Sequence, residues 1–128
     1  MKQLPIVWQR LVRDGKTCDR CGATQTELNT AVGLLQEALR PLDIEPVLET
    51  REIDDSTFRS DPSQSNQILI GGKPLEEWLG AGVGSSSCCS VCGDADCRTV
   101  EIAGTTFETI PERLIIRAGL IAAAHLSD

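Results

Sequence analysis

Six cysteines fall into two groups: Cys18 and Cys21 near the start, and Cys88, Cys89, Cys92 and Cys97 far downstream. The first pair sits in Thr17-Cys18-Asp19-Arg20-Cys21, two thiols separated by two residues where a loop enters a helix. That spacing suits thiol–disulfide exchange. The thiolate is the reactive form, and free backbone N–H groups and the dipole at a helix start both favour the anion. Cys18 is then the candidate catalytic nucleophile, and Cys21 the sulfur that resolves a mixed disulfide. Arg20 helps a thiolate electrostatically and Asp19 opposes it. The same spacing also serves as half of a metal site or as a structural pair.

The second group has a different character. Cys89-x-x-Cys92 has the spacing of a metal knuckle, and four sulfurs between Cys88 and Cys97 can wrap one tetrahedral ion. Cys88 and Cys89 are adjacent and do not easily reach one small ion together, which leaves Cys88 spare. Zinc suits such a thiolate set, an iron–sulfur cluster uses the same ligands, and arsenite, mercury or copper(I) are soft enough to bind it. Reactive thiols, or a Cys92–Cys97 disulfide staple, are the alternatives. Two CxxC pairs form a strong zinc signal when ~15–20 residues separate them. The gap from Cys21 to Cys89 is much longer, so two separate sites are expected.

Other candidates are weaker. His125, the one histidine, has no motif around it and reads as a surface or packing residue. Gly71-Gly72-Lys73 lacks the first glycine and the hydroxyl residue of a phosphate loop. Asp54-Asp55 reads as a helix cap, and Trp8 and Trp78 as core.

These residues need elements to position them. Leu4–Val12 reads as a strand, apolar on both faces near its centre, as in a sheet covered on both sides. Thr24-Gln25-Thr26-Glu27 matches a capping box, so a helix is expected over Thr24–Leu39. It would bury Leu28, Ala31, Val32, Leu35, Ala38 and Leu39, and end before Pro41. Glu45–Ile53 is a second strand with a solvated, glutamate-rich edge. Strand, helix, strand at this spacing is a βαβ unit with a parallel pair. Asp54-Asp55 could start one helical turn through Phe58, and Ser60–Asn66 is a polar loop. Gln67–Ile70 is a third strand, Gly71-Gly72 a turn, and Leu75–Leu79 a brief helix. Gly80–Ser87 has the composition of a flexible loop, the start of a cysteine-rich insertion running to Cys97. Thr99–Ile102 and Thr105–Glu108 are β-prone runs around Ala103-Gly104, consistent with a hairpin. Thr109-Ile110-Pro111-Glu112 combines a capping box with proline at the first helical position, and starts a final helix ending near His125.

Composition sets outer limits. The 128 residues suit one domain spanning 1–128, and 41% apolar with 24% charged residues is ordinary for a globular protein. Aromatics are 3% with no tyrosine, so Leu, Ile, Val and Ala must build the core. A net charge of −7 argues against a nucleic-acid surface. No apolar run reaches the ~18–20 residues of a membrane span. The start MKQLPIVWQRLVRDG does not read as a signal peptide, so a cytosolic location is expected, where cysteines serve reactivity or metal binding more than disulfide frameworks. The expected partner is a protein dithiol or disulfide, or a soft metal ion.

The element order, β-α-β-α-β-β-α, resembles the thioredoxin-like fold over nearly the whole chain. At the residue level the chain is similar to a small prokaryotic thioredoxin-like family known only as a domain of unknown function. The residues that carry this are TCDRC (17–21), SNQILIGGKPLEEWLG (65–80), the Cys88–Cys97 group with CRT (97–99), and FETIPERLI (107–115). The resemblance implies an α/β domain with a mixed four-stranded sheet and helices on both faces. The CxxC would lie at the end of strand one, and strand three would run antiparallel to that strand. The cysteine-rich insertion would precede the last strand or strands.

Overall fold

The computed structural model describes residues 2–11, 19–54, 56, 60, 67–87, 96–102, 104–107 and 109–126. Ten residues, Lys2–Leu11, form strand β1, and Leu4, Ile6 and Trp8 along it are fully buried. Helix α1, Asp19–Leu39, buries Leu28, Ala31, Val32, Leu35 and Leu39 at helical spacing, while Ala38, expected on that stripe, is exposed. A short 3-10 turn, Arg40–Leu42, follows with Pro41 near its start. Asp43 then adopts the left-handed conformation (φ 59°), which aspartate tolerates better than most residues. Its N–H bonds the Arg40 carbonyl at 3.0 Å and its carbonyl accepts from Lys2 N at 3.0 Å. The reversal delivers the chain into β2, Ile44–Ile53.

β2 pairs parallel to β1 in register from Lys2↔Ile44 to Leu11↔Ile53, completing the expected βαβ unit. β3, Gln67–Ile70, lies antiparallel on the other side of β1, and β4, Lys73–Pro74, pairs with β3. The result is a mixed four-stranded sheet of order β2-β1-β3-β4. Gly71 and Gly72 link β3 to β4 with φ of 61° and 82°, two consecutive left-handed residues that a two-residue hairpin demands and glycine supplies without strain. Helix α2, Leu75–Leu79, follows at once, and its half-buried Trp78 donates Nε1–H to the Ile70 carbonyl at 2.7 Å. The final helix, α3, runs Glu112–Ala124 and buries Leu114, Ile115, Ala118, Gly119, Ala122 and Ala123.

Two expectations change. The fourth strand of the sheet is Lys73–Pro74 and not a segment beyond the cysteine group. Gly82–Ser87, read as loop, is strand β5. It pairs antiparallel with β6, Asp96–Ile102, and β6 pairs with β7, Thr105–Phe107, in a separate three-stranded sheet. A glycine–serine run has little intrinsic strand preference, and here β6 supplies a partner from Gly82↔Glu101 to Ser87↔Asp96. The anticipated hairpin at Gly104 is present, with that residue at φ 83°.

Leu4, Ile6, Trp8, Ile44, Pro46, Ile68 and Ile70 are buried, and those other than Pro46 share one core cluster with the buried residues of α1, α2 and α3. On the alternate positions Gln3, Pro5, Glu45 and Val47 are exposed, and Val7 and Leu69 half-buried. α1, α2 and α3 therefore pack on one face. Between β2 and β3, where one helical turn was expected through Phe58, Ser56 and Ser60 are helical, and residues 55, 57–59 and 61–66 lie outside the described ones. No described helix is long and apolar enough to cross a membrane.

α1 and α3 meet at Gly119. A Cβ built there would sit 2.7 Å from Leu35 Cδ1 and 3.0 Å from its Cδ2, and Leu35 is fully buried. Gly119→Val is expected to lower unfolding stability by about 1–3 kcal/mol through overpacking, read as a lower urea midpoint with an unchanged slope.

Candidate functional site

α1 begins at Asp19, five residues before the expected start, so Cys21 lies in its first turn and Cys18 immediately precedes the helix in sequence. Cys97 is the second residue of β6, with Ser86 of β5 opposite it. Cys18, Cys88, Cys89 and Cys92 lie outside the described residues. Residues 88–95 join Ser87 to Asp96, which are themselves paired in the β5–β6 ladder.

The two residues expected to cap α1 do something else. Thr24 is fully buried inside the helix, and its Oγ1 accepts a hydrogen bond from Ile110 N at 3.3 Å. Glu27 Oε1 accepts from Glu112 N at 3.4 Å. Glu112 is the first residue of α3, whose preceding Pro111 makes no side-chain cap bond. Thr109 and Glu112, read as a capping box, are thus replaced by acceptors that α1 provides. A helix start leaves its first N–H groups without partners along the helix. A carboxylate placed there also meets the positive end of the dipole. The T-x-x-E pattern at 24–27 correctly identified residues that bond the start of a helix, but of the wrong helix.

β7 reaches the same place. Arg113, in the first turn of α3, has its guanidinium carbon 5.3 Å from the centre of the Phe107 ring. Phe107 pairs with Val100, and Thr99 and Val100 are both buried. Thr99 Oγ1 is buried with no hydrogen-bond partner among the described residues, a condition that costs roughly 1–3 kcal/mol when nothing offsets it. No sequence pattern singled out Thr99, because its significance comes from burial alone.

Other candidates lie away from this region. His125 is exposed and caps the end of α3, its Nδ1 donating to the Ile121 carbonyl at 2.8 Å and its ring 5.6 Å from that of Trp78. Lys73 Nζ lies 4.3 Å from the centre of the Trp78 ring. Trp8 is fully buried, as expected. The glutamates of β2 form exposed ion pairs, Arg10–Glu52 at 3.1 Å and Arg51–Glu49 at 2.6 Å, as a solvated sheet edge should. Two shallow clefts, of about 180 and 320 Å³, lie at the far end of α1 around Arg40, Ile44 and Leu126.

Fold and site together define an α/β protein with a mixed four-stranded sheet and a CxxC motif running into its first helix. The chain belongs to the family described as "Domain of unknown function (DUF2703)", whose model matches residues 4–119. It is 44% identical over 113 residues to an uncharacterized protein of Archaeoglobus fulgidus, covering 88% of this chain and 82% of that protein. No solved structure matches the chain at a significant level.

Thr24→Val preserves shape but removes the acceptor for a buried N–H. We expect a loss of about 1–3 kcal/mol in urea unfolding, and most of it recovered in Thr24→Ser, which keeps the hydroxyl.

Proposed function

We propose that the protein is a thioredoxin-like thiol–disulfide exchange protein, with Cys18 as attacking sulfur and Cys21 as resolving sulfur. The observation that carries this reading is the start of α1 at Asp19, directly after Cys18. A thiolate at that position benefits from unsatisfied N–H groups and from the helix dipole, which together lower a thiol's pKa. Strand order supports the fold assignment: β1 and β2 are parallel, β3 is antiparallel to β1, and β4 is antiparallel to β3. The antiparallel pairing of β3 with β1 is the one the thioredoxin-like resemblance implies.

The chemistry proceeds by exchange of S–S bonds. The Cys18 thiolate attacks a disulfide of the partner protein, forms a mixed disulfide and releases one partner thiolate. Cys21, as thiolate, then attacks Cys18, releasing the second partner thiolate and leaving a Cys18–Cys21 disulfide. Two electrons have passed to the partner. Such a dithiol fits a reducing compartment, and we place it in the cytosol on that ground.

The second cysteine group supports another reading, a thiolate metal-binding protein without turnover. Pairing of Ser87 with Asp96 closes the ends of the connection that carries Cys88, Cys89 and Cys92, with Cys97 next to it. Four cysteines within ten residues of sequence suit zinc or an iron–sulfur cluster, with bound arsenite or another soft ion as cargo.

Turnover separates the readings. With dithiothreitol as electron donor, the wild type is expected to accelerate reduction of insulin disulfides, and Cys18→Ser to fall to the uncatalysed rate. Cys21→Ser should accumulate a covalent adduct with insulin, visible by non-reducing mass spectrometry. Wild-type protein that gives neither acceleration nor adduct would remove the exchange reading.

A further inference from the structure

β2 is an edge of the larger sheet, and among the described residues it pairs with β1 alone. Which of its backbone groups are free follows from β1. Gly71 N donates to the Pro5 carbonyl at 2.8 Å, so position 5 of β1 faces β3, and the alternate positions, Leu4 and Ile6, face β2. In a parallel ladder, a residue facing its neighbour bonds the two residues that flank its register partner. Leu4, partner of Pro46, thus faces Glu45 and Val47, and Pro46, which has no N–H to give, is turned to the open edge. By the two-residue repeat of a strand, Leu48, Thr50 and Glu52 turn their N–H and C=O groups outward as well.

The side chains of this edge carry a matching pattern. Glu49 and Arg51 lie on the sheet face away from the helices, paired at 2.6 Å and each 56% exposed. Charges on an edge oppose pairing with an arbitrary strand. They do not oppose an antiparallel copy of this same strand when a two-fold axis passes through Thr50. That register sets Glu49 opposite Arg51 of the second copy, and Arg51 opposite its Glu49. With the Glu49–Arg51 pair inside each chain, the four charges form a square of alternating sign. Opposite charges directly across two strands stabilise their pairing, and like charges oppose it. Thr50 meets Thr50 at the axis, and the exposed Val47 meets the half-buried Ile53. Moving the axis one residue either way sets Glu49 opposite Glu49, or Arg51 opposite Arg51. The backbone agrees with the same axis, because the outward positions then oppose one another: Thr50 with Thr50, and Leu48 with Glu52. Each such pair exchanges two N–H···O bonds.

We propose that β2 is the interface of a homodimer, in which two copies join their four-stranded sheets edge to edge, antiparallel, about a two-fold axis at Thr50. The axis is perpendicular to the sheet, so the helices of both copies lie on the same face. A second copy is the partner because its strand supplies each charge where the opposite charge stands, while other registers are rejected by like charges. The surface uses none of the cysteines, and it stands or falls separately from the exchange reading.

Sedimentation equilibrium of the full chain over a concentration series tests this, in excess reductant so that no disulfide-linked dimer contributes. The expected result is a reversible rise from 13.8 kDa to twice that mass. Glu49→Arg and Arg51→Glu each set like charges across the axis, and each is expected to weaken the dimer about tenfold. An equal mixture of the two variants puts opposite charges back across the strands, so it is expected to associate again, one chain of each kind. Thr50→Pro, at an outward position like that of Pro46, spares the β1–β2 ladder and removes the bonds at the axis, and is expected to stay monomeric. Wild type that remains at 13.8 kDa throughout the series overturns the proposal. So does a dimer indifferent to both charge reversals and to Thr50→Pro. If a variant does not fold, amide hydrogen exchange of the wild type decides. Protection of the Leu48, Thr50 and Glu52 amides that grows with protein concentration supports the interface, and exchange there that is the same at every concentration refutes it.

Discussion

Helix α3 starts without a cap of its own, and much of the structure depends on how that deficiency is met. Pro111 has neither a side-chain acceptor nor an N–H, and the donors at Ile110 and Glu112 are served by Thr24 and Glu27 of α1. Leaving buried N–H groups unpaired is costly, so these two bonds hold together segments about 85 residues apart in sequence. They set the axial register of the two helices, and the contact between Leu35 and Gly119 further along sets how closely they approach. Glycine at that crossing leaves space for a buried leucine and brings the two backbones together.

Once the helices are fixed, the placement of the smaller sheet follows. β7 leads into α3 within a few residues, and Arg113 lies over Phe107, so the three-stranded sheet is anchored at the start of that helix. Val100 joins the main core, with Ile102 and Phe107 partly buried against it. A sheet of short strands with a glycine–serine edge has little stability alone, and this one gains it from apolar contacts on the larger body. Its end opposite the Gly104 turn carries Cys97 and both ends of the connection between β5 and β6. The docking that satisfies a helix start therefore also determines where the second cysteine group is presented.

The four-stranded sheet has the complementary role. β1 is central, buried at Leu4, Ile6 and Trp8, and its parallel pairing with β2 requires α1 to cross over the sheet. The crossover brings the chain after β1 through the CxxC and into α1. Gly71 and Gly72 turn β3 directly into β4, and α2 follows with Trp78 bonded to the end of β3. The far end of the chain then packs α3 against α1. Stability resides in this apolar body, and the chemistry-bearing residues lie at its margin.

Local pattern was enough for the elements whose cause is local. The 3.6-residue spacing from Leu28 to Leu39, the strand at β1, the glycine pair at 71–72 and the hairpin at Gly104 all follow from side-chain pattern or backbone freedom within a few residues. Sequence also located the cysteines and the chemistry that their spacing permits. It misread Gly82–Ser87, because a strand poor in intrinsic preference forms only when another strand offers hydrogen bonds. It likewise assigned Thr24 and Glu27 to their own helix, since a capping motif names a donor–acceptor pattern without saying which helix supplies the donors. Ala38 departs from its stripe because, among the described residues, none covers that position. Which residues meet across the chain was decided by tertiary structure alone. Unpaired N–H groups and buried leucines are satisfied by whatever the fold brings near, and that depends on contacts between residues far apart in sequence.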